Sequence, residues 1–428
     1  MKMRPYRLAA RTSPSHGGNR GSIPLRATVI SRLHALACEE IFTENRTMSD
    51  LTKVKLSMIL FSARFWIATF VLFFTSNGFS LSETYVLIGI YYIVSLLLEY
   101  PTGVIGDYYS HRLSVGLGYG ILTIGYASFF FVGGFWYYLA LLMLVAVGQA
   151  LISGSDTALM HSISKDFKKD YADTKTLTLI SSFLAITIGG FVATYDLRYP
   201  VLLTAAALVP ASLLVFSLKN YHFERQTGTD IFELGKQAIR FSWDDKNILS
   251  LLLLGATVSG FFFSYKWIYN PIFQAIELPL GWWGFLAGIA VLFIAVGTKF
   301  YKHFSKIAFL PLLFILGISI AVSGLFSFPV VVVLGLMVSH IFQGYFETKL
   351  MVDLNEEINP SYRSSILSFK GVIVRVVSGG YIFIGALAVK YFSLTHFLIG
   401  TAVAILIMGI GALLFLRKSS LKKRIVAH

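Results

Sequence analysis

Residues 307–327, IAFLPLLFILGISIAVSGLFS, and 329–350, PVVVVLGLMVSHIFQGYFETKL, are two apolar runs joined by the single residue Phe328. Each is long enough to cross a bilayer as a helix, because about 20 residues rising about 1.5 Å apiece span a hydrocarbon core about 30 Å thick. A one-residue joint permits only a hairpin of neighbouring antiparallel helices. The runs are continuous rather than alternating in polarity, which disfavours a β-barrel. Outward from this pair the pattern repeats at 56–75, 84–105, 113–132, 136–158, 176–195, 199–218, 247–268, 280–299, 364–389 and 394–416. Buried helices of a soluble protein could mimic one or two such runs. Twelve in succession, with short polar joints, could not all be covered by the rest of the chain.

Composition agrees. The 428 residues are 56% apolar and 14% charged, where soluble chains carry about 45–50% and about 25%. One cysteine, Cys38, excludes a disulfide framework and a cysteine-based metal site. The net charge of +14 would suit a nucleic-acid partner if it were clustered, but it is spread through the joints between apolar runs and the N-terminal tail, which reads as membrane orientation. With the N-terminus inside, the cytoplasmic joints and C-terminal tail hold 22 Lys and Arg, against three on the other side (Arg198, Lys266 and Lys390). Both termini are therefore expected in the cytoplasm, with the chain in the plasma or inner membrane.

Residues 1–47 lack an apolar core segment, so they are no secretory signal. Their Arg and Ser content, acid-poor to about Cys38, would fit an organellar transit peptide. Gly21-Ser22-Ile23-Pro24 also matches a translated transfer-RNA T-arm, so the preferred reading is upstream DNA read as protein, with the true start at Met48. The longest internal joint, 219–246, divides the spans six and six. Within it Ile231, Leu234, Ala238 and Phe241 make an apolar stripe, expected as an amphipathic helix on the inner leaflet, with a flexible linker as the alternative. The expected organisation is a six-helix bundle over 48–218, the linker, a second six-helix bundle over 247–418 and a basic tail over 419–428. The fold class is an all-α membrane protein of 12 transmembrane helices.

Between the second and third spans runs Glu99-Tyr-Pro101-Thr-Gly103-Val-Ile-Gly-Asp107-Tyr-Tyr-Ser-His-Arg112. This resembles the major facilitator superfamily, whose loop at that place reads G-x-L-x-D-R-x-G-R-[RK]. Gly103, Asp107 and Arg112 match by position; Ile105, Tyr108, Ser110 and His111 depart. The Glu-x-Pro-Thr-Gly lead-in, Arg64-Phe65-Trp66 and Ser153-Gly-Ser-Asp156-Thr-Ala-Leu are also similar to bacterial members. The resemblance covers about 50–418 and implies that helices one, four, seven and ten line a central cavity. It also implies that the two halves meet at the loop when the cytoplasmic gate shuts. The eleventh span opens with Asn359-Pro360-Ser361, a helix cap, and a carboxylate near a helix N-terminus is favoured. Asp107, with Arg112, is therefore expected to latch the outward-facing state; a solvated turn residue is the alternative.

Charge within a span costs about 2.5–3.5 kcal/mol on insertion scales, so it marks function. Arg64, Glu99, Asp156, Glu347 and Arg375 qualify, with the polar His340. Gln149, Ser153, Asp156 and Met160 share one face of the fourth span; His340, Gln343 and Glu347 share one face of the tenth; Lys266-Trp267-Asn270 ends the seventh. Glu99 is expected to act with Gly103, Asp107 and Arg112 in gating. Arg64, Gln149, Asp156, Lys266, His340, Gln343 and Glu347 are expected to bind substrate or carry coupling protons around one shared pocket; an ion-pair network of Arg64, Glu99, Asp156 and Glu347 closing the inner gate is the alternative. For His340 a hydrogen-bonded histidine is the alternative, and Arg375 reads as a helix-packing residue. The fifth span ends Gly189-Gly190, without the Gly-Pro pair of the family's antiporter signature.

The expected function is secondary active transport of a small molecule by alternating access, as proton-coupled export of a partly apolar compound by a single subunit. Import of a metabolite, or a transport-inactive sensor of the same fold, are the alternatives. No P-loop or metal-protease motif suggests an enzyme, and no cofactor or nucleic-acid partner is expected.

Overall fold

The computed structural model describes residues 48–108, 110–219, 240, 243–325, 328–358 and 363–426, without the side chains of 100, 101, 103–108, 363–365, 367, 368, 412 and 415–426. The tail 1–47 and most of the linker 219–246, with its expected amphipathic helix, lie outside these residues. Among the described residues there are fifteen helices: α1 (Asp50–Ser62), α2 (Phe70–Ser76), α3 (Leu81–Tyr108), α4 (His111–Ser128), α5 (Phe135–Ile152), α6 (Ser155–Ile163), α7 (Phe167–Val192), α8 (Tyr199–Phe216), α9 (Lys246–Tyr265), α10 (Tyr269–Ala275), α11 (Leu280–Phe304), α12 (Phe309–Leu325), α13 (Pro329–Glu357), α14 (Arg363–Tyr391) and α15 (Leu394–Val426).

Nine described segments are long and apolar enough to cross a membrane. They do not account for all twelve expected spans. The run at 307–327 forms α12, apolar but shorter. The run at 113–132 forms α4, whose first turn carries His111 and Arg112 and whose body carries four glycines. The run at 56–75 is not one helix: α1 ends at Ser62 and α2 begins at Phe70. The Glu99–Arg112 segment differs too, because α3 continues to Tyr108 and α4 already begins at His111.

Local chemistry sets several helix starts. Ser80 and Glu83 form a reciprocal capping box ahead of α3 (2.8 and 3.2 Å). Asp245 accepts the Asn247 and Ile248 amides at the start of α9 (2.8 and 3.4 Å). Pro200 and Pro329 occupy first-turn positions where no amide hydrogen is needed.

Two apolar cores result. One gathers buried side chains chiefly from 54–218, the other chiefly from 248–405. They join where backbones touch, through small residues. A Cβ on Gly190 would lie 2.4 Å from the Gly284 nitrogen, so α7 and α11 pack at a distance only glycine permits. Outward, large apolar side chains face away from both cores, such as Ile124, Leu213, Ile318 and Ile407. Exposed Trp136, Tyr195, Trp282, Phe328 and Phe392 lie in or beside joints between helices, as expected for an aromatic belt at a membrane interface.

Candidate functional site

The break between α1 and α2 determines the site. Backbone groups freed inside a membrane must find protein partners or line a wet cavity, and here they find side chains. The Phe65 amide donates to Thr204 Oγ1 (3.0 Å), and Ser182 Oγ donates to the Ser62 carbonyl (3.0 Å). At the start of α2, Thr69 makes no side-chain cap. Asn270, from α10, supplies it instead: its Oδ1 accepts the Val71 and Leu72 amides (2.9 and 3.1 Å) while its Nδ2 donates to the Ala68 carbonyl (2.8 Å). The unwound segment lies directly on Gly189, whose added Cβ would sit 1.9 Å from the Phe65 oxygen. The Gly189-Gly190 pair thus seats two close backbone approaches.

Two more breaks lie nearby. Between α5 and α6 the chain turns at Gly154, whose φ of +78° favours glycine. Between α9 and α10 the helix loosens at Lys266–Ile268. Arg64, Asp156 and Lys266 therefore each stand in, or one turn from, an interrupted helix.

Around these breaks is a cavity of about 250 Å³ whose wall includes Arg64, Tyr91, Glu99, Gln149, Ser153, Asp156 and Arg375. Arg64 Nη2 approaches Gln149 Oε1 (3.4 Å), and its guanidinium lies 4.7 Å from the centre of the Phe61 ring. Glu99 accepts from Ser153 (3.2 Å) and pairs with Arg375 of α14, tying the two cores together. Asp156 accepts the Thr157 amide and hydroxyl (2.6 and 3.2 Å). An adjoining pocket of about 30 Å³ shares Arg64, Tyr91 and Gln149 with the cavity and adds Lys266, Trp66 and Trp267.

Beside the small pocket, aromatic side chains from distant parts of the chain pack together in the first core. Trp66 stacks on Trp267 (5.6 Å, 8° between planes), Trp267 donates to the Tyr92 hydroxyl (2.7 Å), and that hydroxyl donates to the Phe263 carbonyl (2.9 Å).

The expected single pocket does not gather every residue assigned to it. Arg64, Gln149, Asp156 and Glu99 share the cavity, and Lys266 adjoins it. His340 is instead buried in the second core, its Nδ1 donating to the Leu336 carbonyl (2.7 Å) and its Nε2 accepting from Tyr269. Gln343 donates to Glu347 (3.1 Å), and Glu347 lines a separate groove of about 600 Å³ between α11 and α13. The physical reason is packing: α11 and α13 touch backbone to backbone at Gly297 and Gly344, which turns that face of α13 toward α11. Gly103 and Asp107 fall in the last turns of α3; their side chains, and the Asn359-Pro360-Ser361 cap, lie outside the described residues. Arg112 reaches the Phe216 carbonyl at the end of α8, the favoured end for a cation. Arg375, read from sequence as a packing residue, lines the cavity, as do Tyr91 and Phe263. The 276-residue separation of Arg375 from Glu99 leaves no local sign of their pairing.

The family model described as Major Facilitator Superfamily matches residues 56–380. The chain belongs to the Major Facilitator Superfamily. A curated relative, the uncharacterised MFS-type transporter YxaM of Bacillus subtilis (strain 168), is 21% identical over 254 residues, a match covering 56% of this chain and 64%, less than two thirds, of that protein's length. Among solved structures, a mutant of the nucleoside transporter NupG superposes with a TM-score of 0.70 at 14% identity, over 86% of this chain and all of that one. A bacterial homologue of the human lysosomal transporter Spinster, inward-facing and unoccupied, gives 0.68 at 14% identity over 87% and 98%. The POT family peptide transporter PepTSo gives 0.66 at 12% identity over 87% and 98%. At these identities the likeness establishes the superfamily fold and not the substrate. The superfamily fold makes this a multi-pass membrane protein of a transporter family.

Proposed function

We propose that the chain is a secondary transporter that exports a small molecule in exchange for protons, by alternating access to the cavity at Arg64 and Asp156. The observation that carries this reading is the cavity itself. It lies between two cores, three interrupted helices edge it, and both cores contribute charge to it. Discontinuous helices at a midplane site are how two rocking bundles hold a solute while their backbones stay satisfied. In this reading Trp66, Trp267 and Asn270 seal one end of the cavity, which by the Lys and Arg distribution faces outward. The cavity is then on the cytoplasmic side, where an exporter loads. Both termini are cytoplasmic in this reading, in a plasma or inner membrane, and one chain suffices.

Asp156 is the coupling group because, of the cavity's carboxylates among the described residues, it is the one not held by a cation from the other half of the chain. Glu99 already has Arg375, and Glu347 lies in another groove. A carboxylate that alternately faces two solutions can bind a proton on one side and release it on the other. The test is flux in proteoliposomes under an imposed pH gradient, screened over a compound panel. Asp156→Asn abolishes gradient-driven flux while the protein remains folded and inserted, and Glu347→Gln retains it. Wild-type flux in Asp156→Asn removes the coupling assignment. Product turnover in detergent without a gradient would instead indicate an enzyme.

A further inference from the structure

Within that transport reading, we propose that the substrate is an organic anion, with its acidic head between Arg64 and Lys266 and its body in the larger cavity. The small pocket carries both cations and no carboxylate in its wall; the remainder is aromatic and aliphatic apart from Gln149. Among the described residues neither Arg64 nor Lys266 has a carboxylate within ion-pair distance. Among the described residues Lys266 Nζ is held by ring faces alone, 4.9 Å from the centres of Phe263 and Trp267. Arg64 rests on Phe61 and an amide oxygen at long range. Both side chains therefore face one pocket. The indole N–H of buried Trp66, on the same wall and near the Tyr126 hydroxyl, makes no close hydrogen bond among the described residues.

Charge inside a membrane protein is ordinarily paired. Here the missing partner is one small anionic group that would bridge both cations and accept from Trp66. The size agrees: about 30 Å³ suits a carboxylate head, and the adjoining 250 Å³ suits a ring with a few polar substituents. Asp156 does not compensate, because it lines only the larger cavity and its oxygen is engaged by Thr157. The net excess of positive charge around the two pockets favours an anion over a cation of the same shape.

Three probes on one frame test this: phenylacetate, phenylacetamide and phenethylamine. Binding to the purified full chain in detergent at neutral pH is read from the ligand-dependent rise in melting temperature. Phenylacetate is expected to bind roughly tenfold or more tightly than the amide, with the amine weakest. Lys266→Met and Arg64→Gln should each weaken phenylacetate by roughly tenfold and leave the amide unchanged, while Lys266→Arg keeps the preference. Replacing an unpaired cation with a neutral side chain does not threaten insertion, so the variants are expected to fold; a gel-filtration profile checks it. Equal binding of acid and amide, a preference for the amine, no binding of phenylacetate, or an unchanged phenylacetate affinity in Lys266→Met overturns the proposal. Gradient-driven flux of phenethylamine would overturn the anion assignment while leaving the transport reading in place.

Discussion

Asn270→Ala should unseal the end of the cavity that Trp66 and Trp267 close. Asn270 is only 2% exposed and makes three hydrogen bonds to the interrupted first helix, capping α2 from across the interface. Alanine strands two amides and one carbonyl. A buried unsatisfied polar group costs about 1–3 kcal/mol, but an opened state lets water reach these groups, so the penalty falls on the sealed state alone. Allowing for local relaxation, the sealed state should lose about 2–4 kcal/mol, a shift of roughly 30-fold to several hundred-fold toward the opened one. Ala68, fully buried beneath this seal, reports the change. In an Ala68→Cys, Cys38→Ser background, labelling by a membrane-impermeant maleimide from that side should accelerate at least tenfold on adding Asn270→Ala. An unchanged labelling rate with a lower melting temperature would refute the reasoning, because the three bonds would then support both states alike.

Other predictions follow from the same geometry. Gly189→Ala drives a Cβ to within 1.9 Å of the Phe65 oxygen; with backbone on both sides it should destabilise by about 1–3 kcal/mol, whereas Gly380→Ala, with nothing within 4 Å, should be neutral or slightly stabilising, both read by thermal unfolding. Glu99→Gln leaves Arg375 without its carboxylate in a half-buried site and should cost about 1–3 kcal/mol, most of it recovered in the Glu99→Gln, Arg375→Gln double variant. In the joint between α7 and α8, hydrogen bonds from Arg198 (2.5–3.1 Å) hold the Asp196 carboxyl below its ordinary value of 3.8. A depressed folded-state value stabilises the protein above pH 3.8 and is lost as pH falls through the lower value. The melting temperature of wild type should therefore fall more steeply below that pH than that of Asp196→Asn.

How far the sequence carries is visible in particular residues. Apolar run length located nine of the twelve expected spans as helices long and apolar enough to cross a membrane, since hydrophobic thickness is a local constraint. The rarity of charge in hydrocarbon singled out Arg64, Glu99, Asp156, Glu347 and Arg375, of which all but Glu347 line the cavity. Helical spacing put Gln149, Ser153 and Asp156 on one face, and they share a wall even though the helix breaks at Gly154. The same spacing put His340, Gln343 and Glu347 together but could not say which way that face points; the backbone contact at Gly297 and Gly344 decides it. The break after Ser62 left no trace in Ala63-Arg-Phe-Trp-Ile-Ala-Thr69, which holds neither glycine nor proline. Thr204, Ser182 and Asn270 stabilise it from distant parts of the chain.

The central claim is that one cavity opens alternately to two solutions. Ser153→Cys in the Cys38→Ser background places a single thiol on its wall, and sealed vesicles of both orientations allow labelling from each face. The account predicts that an impermeant reagent reaches this thiol from either face, with Asn270→Ala speeding one side and slowing the other. Labelling from one face only, under every condition and in both variants, would contradict it.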